Sequence, residues 1–593
     1  MPVRHKITPS DPNAHLVTIA STFSAGEGGS LPDPLVVSMP VWTPGSYLVR
    51  EYARNVEVPR ASASGDHPVT VTKVRKNAWS LAHGGANEVT FTYDLYCNDV
   101  TVRTNHVDGS HLYLNGAATF VAAAHEPNAG AEIAIDAPSG WKIATALAQG
   151  GTSAAPVFRA ATFDELVDSP IHVGDHATRT FEVLGKTHHF AIWGEAPAAS
   201  WDDVVRDART IIETEARFFG GKLPYDNYTF LWLVTPRNRG GLEHRASTTL
   251  TVQPHLFEDR KGYLDVLSLV AHEFFHLWNV KRIRPQGLFP YRYEEENYTR
   301  LLWWFEGATS YYDWRTLRVS GLCTVDEYLE HLGDEISRLE DIPGRMQQSA
   351  SEASFDAWIK LYRADENTVN STISYYLKGE IVCAMLDVEL RARTAGQRGL
   401  DDVLAELWRA HGMEEKPVAE DGMPALFERV AGVSMSDVLS AWVDGRGELP
   451  IEQTLARVGL KVIRERGPDR KQKPSLGLRM RTSEGRALVS SVLRGRGAHK
   501  GGIDTGDEIV AVGGKRVENG KVDATLIGRT AGTTVDVVVA RDGVIRTVKC
   551  TLDQPTTDKV KIVIADGASA AQRSLLEGWL HGTPTAKEKA EKA

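Results

Sequence analysis

His272-Glu273-Phe274-Phe275-His276 sits inside an apolar run, Leu264 to Val280, that reads as a helix. On a helix, side chains four apart share a face, with Cβ atoms roughly 6 Å apart. Two imidazoles so placed suit one tetrahedral Zn²⁺. Glu273, one step after the first His, is placed to hold an attacking water as general base. Leu267, Leu269, Val270, Ala271, Phe274, Phe275, Leu277 and Trp278 leave little polar face, so a buried helix is expected, continuing to Arg282 and stopped by Pro285. Two His and a Glu buried there need partners. A metal centre meets that need; two surface histidines on an amphipathic helix would lack the polar face.

The rest of the chain sets the frame. Its 593 residues suggest three or four domains. A net charge of −10 with no long basic block argues against a nucleic-acid partner. Cys97, Cys323, Cys383 and Cys550 are scattered with no C-x-x-C, which suggests neither a disulfide framework nor a thiolate zinc site. No apolar run of about 18 residues occurs, so no membrane span is expected. The N-terminus has no signal-like apolar core, and a cytoplasmic location is expected for the chain as it stands, a removed signal aside.

The expected fold class is multidomain α+β. Residues 1–175 read as a β-sandwich-like domain, with strands at Leu35–Met39, Val69–Val74, Glu88–Tyr96, His111–Leu114 and Glu132–Ile135 between Gly- and Pro-rich turns. Residues 176–455 read as a mostly helical catalytic region, with helices at Trp201–Phe219, Tyr298–Arg318, Val325–Leu339, Leu377–Arg393, Leu400–Ala410 and Met435–Gly445, and a buried strand at Thr229–Val234. Residues 460–555 read as an all-β unit. Arg466–Lys473, basic and Pro-containing, is a linker candidate, and 556–593 reads as a C-terminal helix and tail.

A catalytic zinc site takes three protein ligands and leaves a position for water. Two downstream carboxylates compete. Glu295 lies within Glu294-Glu295-Glu296, a triplet typical of a solvated face. Glu306 follows Trp303-Trp304-Phe305, where a lone carboxylate is costly to bury without a cation, so Glu306 is favoured and Glu295 stays open.

Upstream, Arg239-Gly240-Gly241-Leu242-Glu243-His244 combines two glycines, which let a backbone approach closely, with a carboxylate. Alone, Glu243 reads as a surface residue. Beside a zinc motif it suggests an anchor for a substrate's α-ammonium. Ala246–Val252 reads as an edge strand on which an extended peptide lies. Tyr376 opens another helix; it is either an oxyanion donor or a packed aromatic.

Together these segments resemble the gluzincin metallopeptidases, specifically the glycyl aminopeptidase family. Trp42-Thr43-Pro44-Gly45-Ser46-Tyr47-Leu48-Val49-Arg50 and Leu277-Trp278-Asn279-Val280-Lys281-Arg282-Ile283-Arg284-Pro285 are similar to that family's N-terminal domain and zinc helix. The unit around Ser475-Leu476-Gly477-Leu478 resembles a PDZ domain. The resemblance implies a thermolysin-like catalytic domain holding one Zn²⁺ per chain, with His272, His276 and Glu306 as ligands and Glu273 as base. It implies removal of N-terminal residues, small ones (Gly, Ala) preferred. Gly240-Gly241-Leu242-Glu243-His244 is similar to the exopeptidase motif of the wider gluzincin aminopeptidases, departing from it at Leu242 and His244, and the segment of Tyr376 is similar to their catalytic Tyr segment; the resemblance implies substrate binding by Gly240, Gly241, Glu243 and His244.

The expected function is therefore a zinc aminopeptidase acting on peptides with a free N-terminus, with a peptide C-terminus as possible partner of the PDZ-like unit. Two rivals are an endopeptidase to which the PDZ-like unit delivers substrate, and a non-catalytic peptide-binding scaffold. The intact Glu273 speaks against the scaffold, because a structural zinc site needs no base.

Overall fold

The structure is a computed structural model that describes residues 2–26, 28–152, 155–465, 474–518, 521–554 and 559–582. The linker candidate at 466–473 and the tail from 583 lie outside the described residues. The chain divides into two compact units, one of Met1–Thr299 with Leu407–Glu420, the other of Arg300–Glu406 with Asp421–Ala593.

The first unit opens with a β-rich domain. Leu16–Ser24 and Glu88–Tyr96 alternate buried and half-buried positions along their length. That period of two sends Val17, Ile19 and Phe23 to one face, opposite Leu95, Tyr93 and Val89 in antiparallel register. The outer face carries polar pairs such as Thr18–Asp94. These strands belong to an eleven-stranded sheet. A second, four-stranded sheet joins Lys142–Ala144, Ile171–Gly174, His111–Leu114 and His106–Val107. Leu112, Leu114, Ile171 and Val173 of the second sheet share one core with Val17, Ile19 and Trp79 of the first. The N-terminal domain is β-rich, as expected from the sequence. Among its buried histidines, desolvation holds His111 down at about 3 and His176 at about 4, so both imidazoles are neutral at pH 7.

A five-stranded sheet follows in the same unit, in the order Ala177–Val183, Lys186–Trp193, Asn227–Val234, Ser247–Val252, Gly240–Glu243. Asn227–Val234 is parallel to both neighbours and buried at every position after Asn227, as strands covered on both faces are. The helix Arg260–Phe275 contacts both Gly240–Glu243 and Ser247–Val252. Asp259 caps its start by accepting from the Gly262 N–H at 2.7 Å.

The second unit is helical in its first half. The expected single helix over 298–318 is two, Leu302–Phe305 and Gly307–Val319, separated by Glu306 at φ −107°. Tyr375–Arg393 is buried nearly all round, which is why no amphipathic stripe marks it in the sequence. The five strands Leu478–Ser483, Arg486–Val492, Glu508–Val512, Thr534–Arg541 and Val544–Thr551 enclose their own core of Val489, Ile509, Val537, Val539 and Leu552. Leu460–Glu465, grouped with that all-β unit by sequence, pairs instead with Lys559–Ile564. The helix Ala570–His581 then buries Trp579 completely. Among the described residues no helix is long and apolar enough to cross a membrane.

Candidate active site

In the first unit, four of the expected site residues converge. Glu243, Glu273 and His276 each present a ligand atom within 4.8 Å of the others, and all three are buried. Gly241 lies directly against Glu273: a Cβ there would overlap the Glu273 carboxylate. Gly45, from the Trp-Thr-Pro-Gly-Ser-Tyr segment, stands in the same relation to Glu243, and its φ of +87° is one that glycine adopts freely. Glu243 Oε1 is buried with no hydrogen-bond partner among the described residues. An unpartnered buried carboxylate oxygen is costly, and a ligand cation would relieve that cost.

The helix ends at Phe275, with His276 as its C-cap, earlier than the expected Arg282. Tertiary contacts win over helix continuation. Arg282 turns back to donate to the carbonyls of Leu277, Arg245 and Pro224, and Lys281 pairs with Asp168 at 2.6 Å. The turn also brings Asn279 O to 2.7 Å from His276 Nδ1. A carbonyl only accepts, so Nδ1 carries the proton and Nε2 presents its lone pair. This is the outer-shell arrangement that orients a metal-binding imidazole. The His272 and His276 rings lie 4.8 Å apart, edge to face.

The expected edge strand is corrected. Ser247–Val252 lies inside the sheet, between Asn227–Val234 and Gly240–Glu243, and the edge is Gly240–Glu243 itself. The residues that carry the expected anchor therefore also carry the free edge. His244 Nδ1 lies 3.4 Å from Asp168. Asp168 is buried, which alone would raise its carboxyl, but Lys281 beside it holds it well below the usual carboxylate range. Asp168 also accepts from the Arg245 N–H at 2.7 Å, fixing the chain just after Glu243.

Glu295 is exposed and paired with Arg292 at 3.3 Å, and it joins no cluster of metal-capable side chains among the described residues. Glu306, in the second unit, is 2 % exposed at the break between two helices. The following Gly307 packs on the Tyr375–Arg393 helix so closely that an added Cβ would lie 2.5 Å from Gly379 Cα. Gly379 in turn allows no side chain, because its Cβ would lie 2.5 Å from Trp303 O. This crossing explains two glycines that have no evident role in the sequence alone. Tyr376 is half-buried near Glu306, with its hydroxyl 3.3 Å from that of Tyr362. Burial, then the charge of Glu306, push its phenol well above the ordinary value, so it is a neutral O–H donor.

The profile of the M61 glycyl aminopeptidase matches residues 265–382, that of the peptidase M61 N-terminal domain residues 4–175, and that of the PDZ domain residues 474–552. A solved aminopeptidase N family protein from Idiomarina loihiensis is 30 % identical, with a TM-score of 0.90, over 98 % of this chain and 100 % of its own. An M1 zinc metallopeptidase from Deinococcus radiodurans aligns at 14 % identity and a TM-score of 0.48, over 76 % of this chain and 95 % of its own. No curated protein sequence matches. The helix of His272 and His276, the β-rich domain before it and the PDZ domain after it occur in one order along one chain, which belongs to the M61 glycyl aminopeptidase family.

Proposed function

We propose that the protein is a zinc aminopeptidase that removes N-terminal residues, small ones preferred, with His272, His276 and Glu306 as the metal ligands. The observation that carries the reading is the bond from His276 Nδ1 to Asn279 O, which leaves Nε2 to face a metal beside the Glu273 and Glu243 carboxylates. Two imidazoles and a carboxylate are the donor set of an open zinc site. The burial of the Glu306 carboxylate fits the same role, and the exposed, Arg-paired Glu295 does not. The domain limits that go with this reading are 1–175, 176–455 and a PDZ-like unit within 460–555.

Zinc, when bound, supplies a Lewis acid for the scissile carbonyl and lowers the pKa of a water. The chain's own groups do the rest. Glu273, pressed against the Gly241 backbone, takes the water's proton and passes it to the leaving amine. Tyr376, kept protonated by its surroundings, donates to the developing oxyanion. Glu243 accepts from the substrate's α-ammonium through its open Oε1 and fixes the first residue at the edge strand Gly240–Glu243. The test is hydrolysis of matched tripeptides with free and N-acetylated termini. Cleavage confined to the free peptides supports the reading. Equal cleavage of both would make the protein an endopeptidase.

A further inference from the structure

A second group of metal-capable side chains lies in the N-terminal domain and shares no residue with the site above. His106, Asp108 and His111 each offer a ligand atom within 4.8 Å of the others. They sit on one hairpin, where His106 pairs with Tyr113 and Val107 with Leu112, so the turn Asp108-Gly109-Ser110 lies between the two histidines. The two rings face each other, with His106 Nδ1 2.8 Å from His111 Nε2. Both histidines are buried, and Asp108 is half-buried beside the exposed Gly109 and Ser110.

Asp108 and His111 are held in place by their surroundings. Asp108 Oδ1 accepts from the Ser110 N–H, the Ser110 hydroxyl and the His111 N–H, at 2.7, 2.7 and 3.2 Å. Those bonds pin the carboxylate next to His111 and leave Oδ2 outside the turn's own network. The Trp193 indole stacks on the His111 ring at 3.6 Å and 10°. On the far side of that ring, His111 Nδ1 lies 3.2 Å from His172 Nε2, on the adjoining strand Ile171–Gly174. With the His111 proton on Nδ1 and donated to His172, Nε2 turns its lone pair toward His106, the pattern of an oriented metal ligand.

We propose that His106, Asp108 and His111 form a second divalent transition-metal site of the zinc class. Two neutral imidazoles and one carboxylate are the borderline donors that zinc, nickel and cobalt prefer over calcium or magnesium. Tetrahedral ligands about 2.0–2.1 Å from a metal lie about 3.3 Å apart, so the facing nitrogens need to open by only about half an ångström. The exposed Gly109–Ser110 turn gives an entry path and a side for a fourth, water ligand. The alternative for the same atoms is a hydrogen-bonded relay from His106 through His111 to His172 with no metal in it.

The experiment uses the full chain, stripped with a chelator, equilibrated with buffered free zinc and separated from unbound metal. Bound zinc is measured by atomic emission for the wild type, Asp108→Asn and His106→Gln/His111→Gln. The expected result is one zinc fewer per chain in the double variant, and a zinc affinity at least about tenfold weaker in Asp108→Asn, which keeps the shape of the turn. Peptide turnover per chain should be unchanged in Asp108→Asn. The readout is a difference between variants, so it stands whatever metal the peptidase site holds. Zinc binding by Asp108→Asn equal to wild type in stoichiometry and affinity would overturn the proposal and leave the relay.

Discussion

Gly241 and Glu273 meet backbone to carboxylate: no Cβ fits at position 241 without displacing the Glu273 side chain. The strand Gly240–Glu243 thus sets the position of a carboxylate carried by the helix Arg260–Phe275. Gly241→Ala should push Glu273 off line and lower kcat by on the order of 10², because misplacing a catalytic group by an ångström costs about that much. Zinc content and KM should change little. A variant with normal kcat would show that Gly241 does not position the base.

Glu243→Ala should lower kcat/KM for free-amine peptides by about 30- to 1,000-fold, the equivalent of roughly 2–4 kcal/mol for deleting one partner of an ammonium–carboxylate pair in a dry cleft. Blocked peptides never form that pair and should be poor substrates for both enzymes. Gly45→Ala should copy part of the defect, since a side chain there would overlap the Glu243 carboxylate. The check is steady-state kinetics on paired free and acetylated peptides. An equal fall on both would assign Glu243 a role other than anchoring the amine.

Glu306→Ala should lose metal, and Glu295→Ala should keep it. Removal of a carboxylate ligand from a three-ligand site weakens zinc binding by orders of magnitude, while an exposed ion pair such as Arg292–Glu295 is worth little. Metal analysis after dialysis decides between them, and the reverse pattern would give the ligand role to Glu295.

Lys378 supplies a pH test on stability. Its side chain is 1 % exposed, and the partners of its ammonium among the described residues are the carbonyls of Arg345, Gln348 and Gly445, at 3.4–3.5 Å. Burial pulls its pKa down to about 8. The folded state therefore disfavours the charged form, a penalty on the order of 3 kcal/mol that is fully present below pH 8. Between pH 8 and the ordinary value of 10.5 the unfolded chain holds the proton and the folded chain does not, so stability rises with pH across that window. Lys378→Met should melt higher than wild type at pH 7, with the gap closing toward pH 10. A gap independent of pH would mean that the carbonyls satisfy the ammonium.

How much of this is legible in the sequence depends on whether local pattern or distant partners set each feature. Glu88–Tyr96 and His111–Leu114 have the bounds expected from the sequence: the first alternates over a one-sided core, and the second is a short run, buried throughout, bounded by turn residues. The helix Arg260–Phe275 is legible from spacing, but its end is not: Arg282 and Lys281 find partners at Pro224 and Asp168, far away in sequence. The break at Glu306 is hidden by a continuous apolar run. Only the Gly307–Gly379 crossing explains it, and a lone glycine in a helical pattern carries no such signal. The sheet edge lies one strand away from its expected place because Ser247–Val252 and Gly240–Glu243 are both short, and order within a sheet is set by pairing rather than by local pattern. Leu460–Glu465 pairs with Lys559–Ile564, outside the all-β unit that the sequence groups it with, for the same reason. His106, Asp108 and His111 lie within six residues of sequence, but the contact that orients His111, from His172, comes only through strand pairing.

The most direct test of the central claim is Glu273→Gln, assayed for zinc and for turnover on one preparation. The account predicts wild-type zinc content, because the ligands are untouched, and a fall in kcat of about 10² or more, because an amide accepts no proton. Turnover within a few-fold of wild type at full zinc occupancy would contradict it.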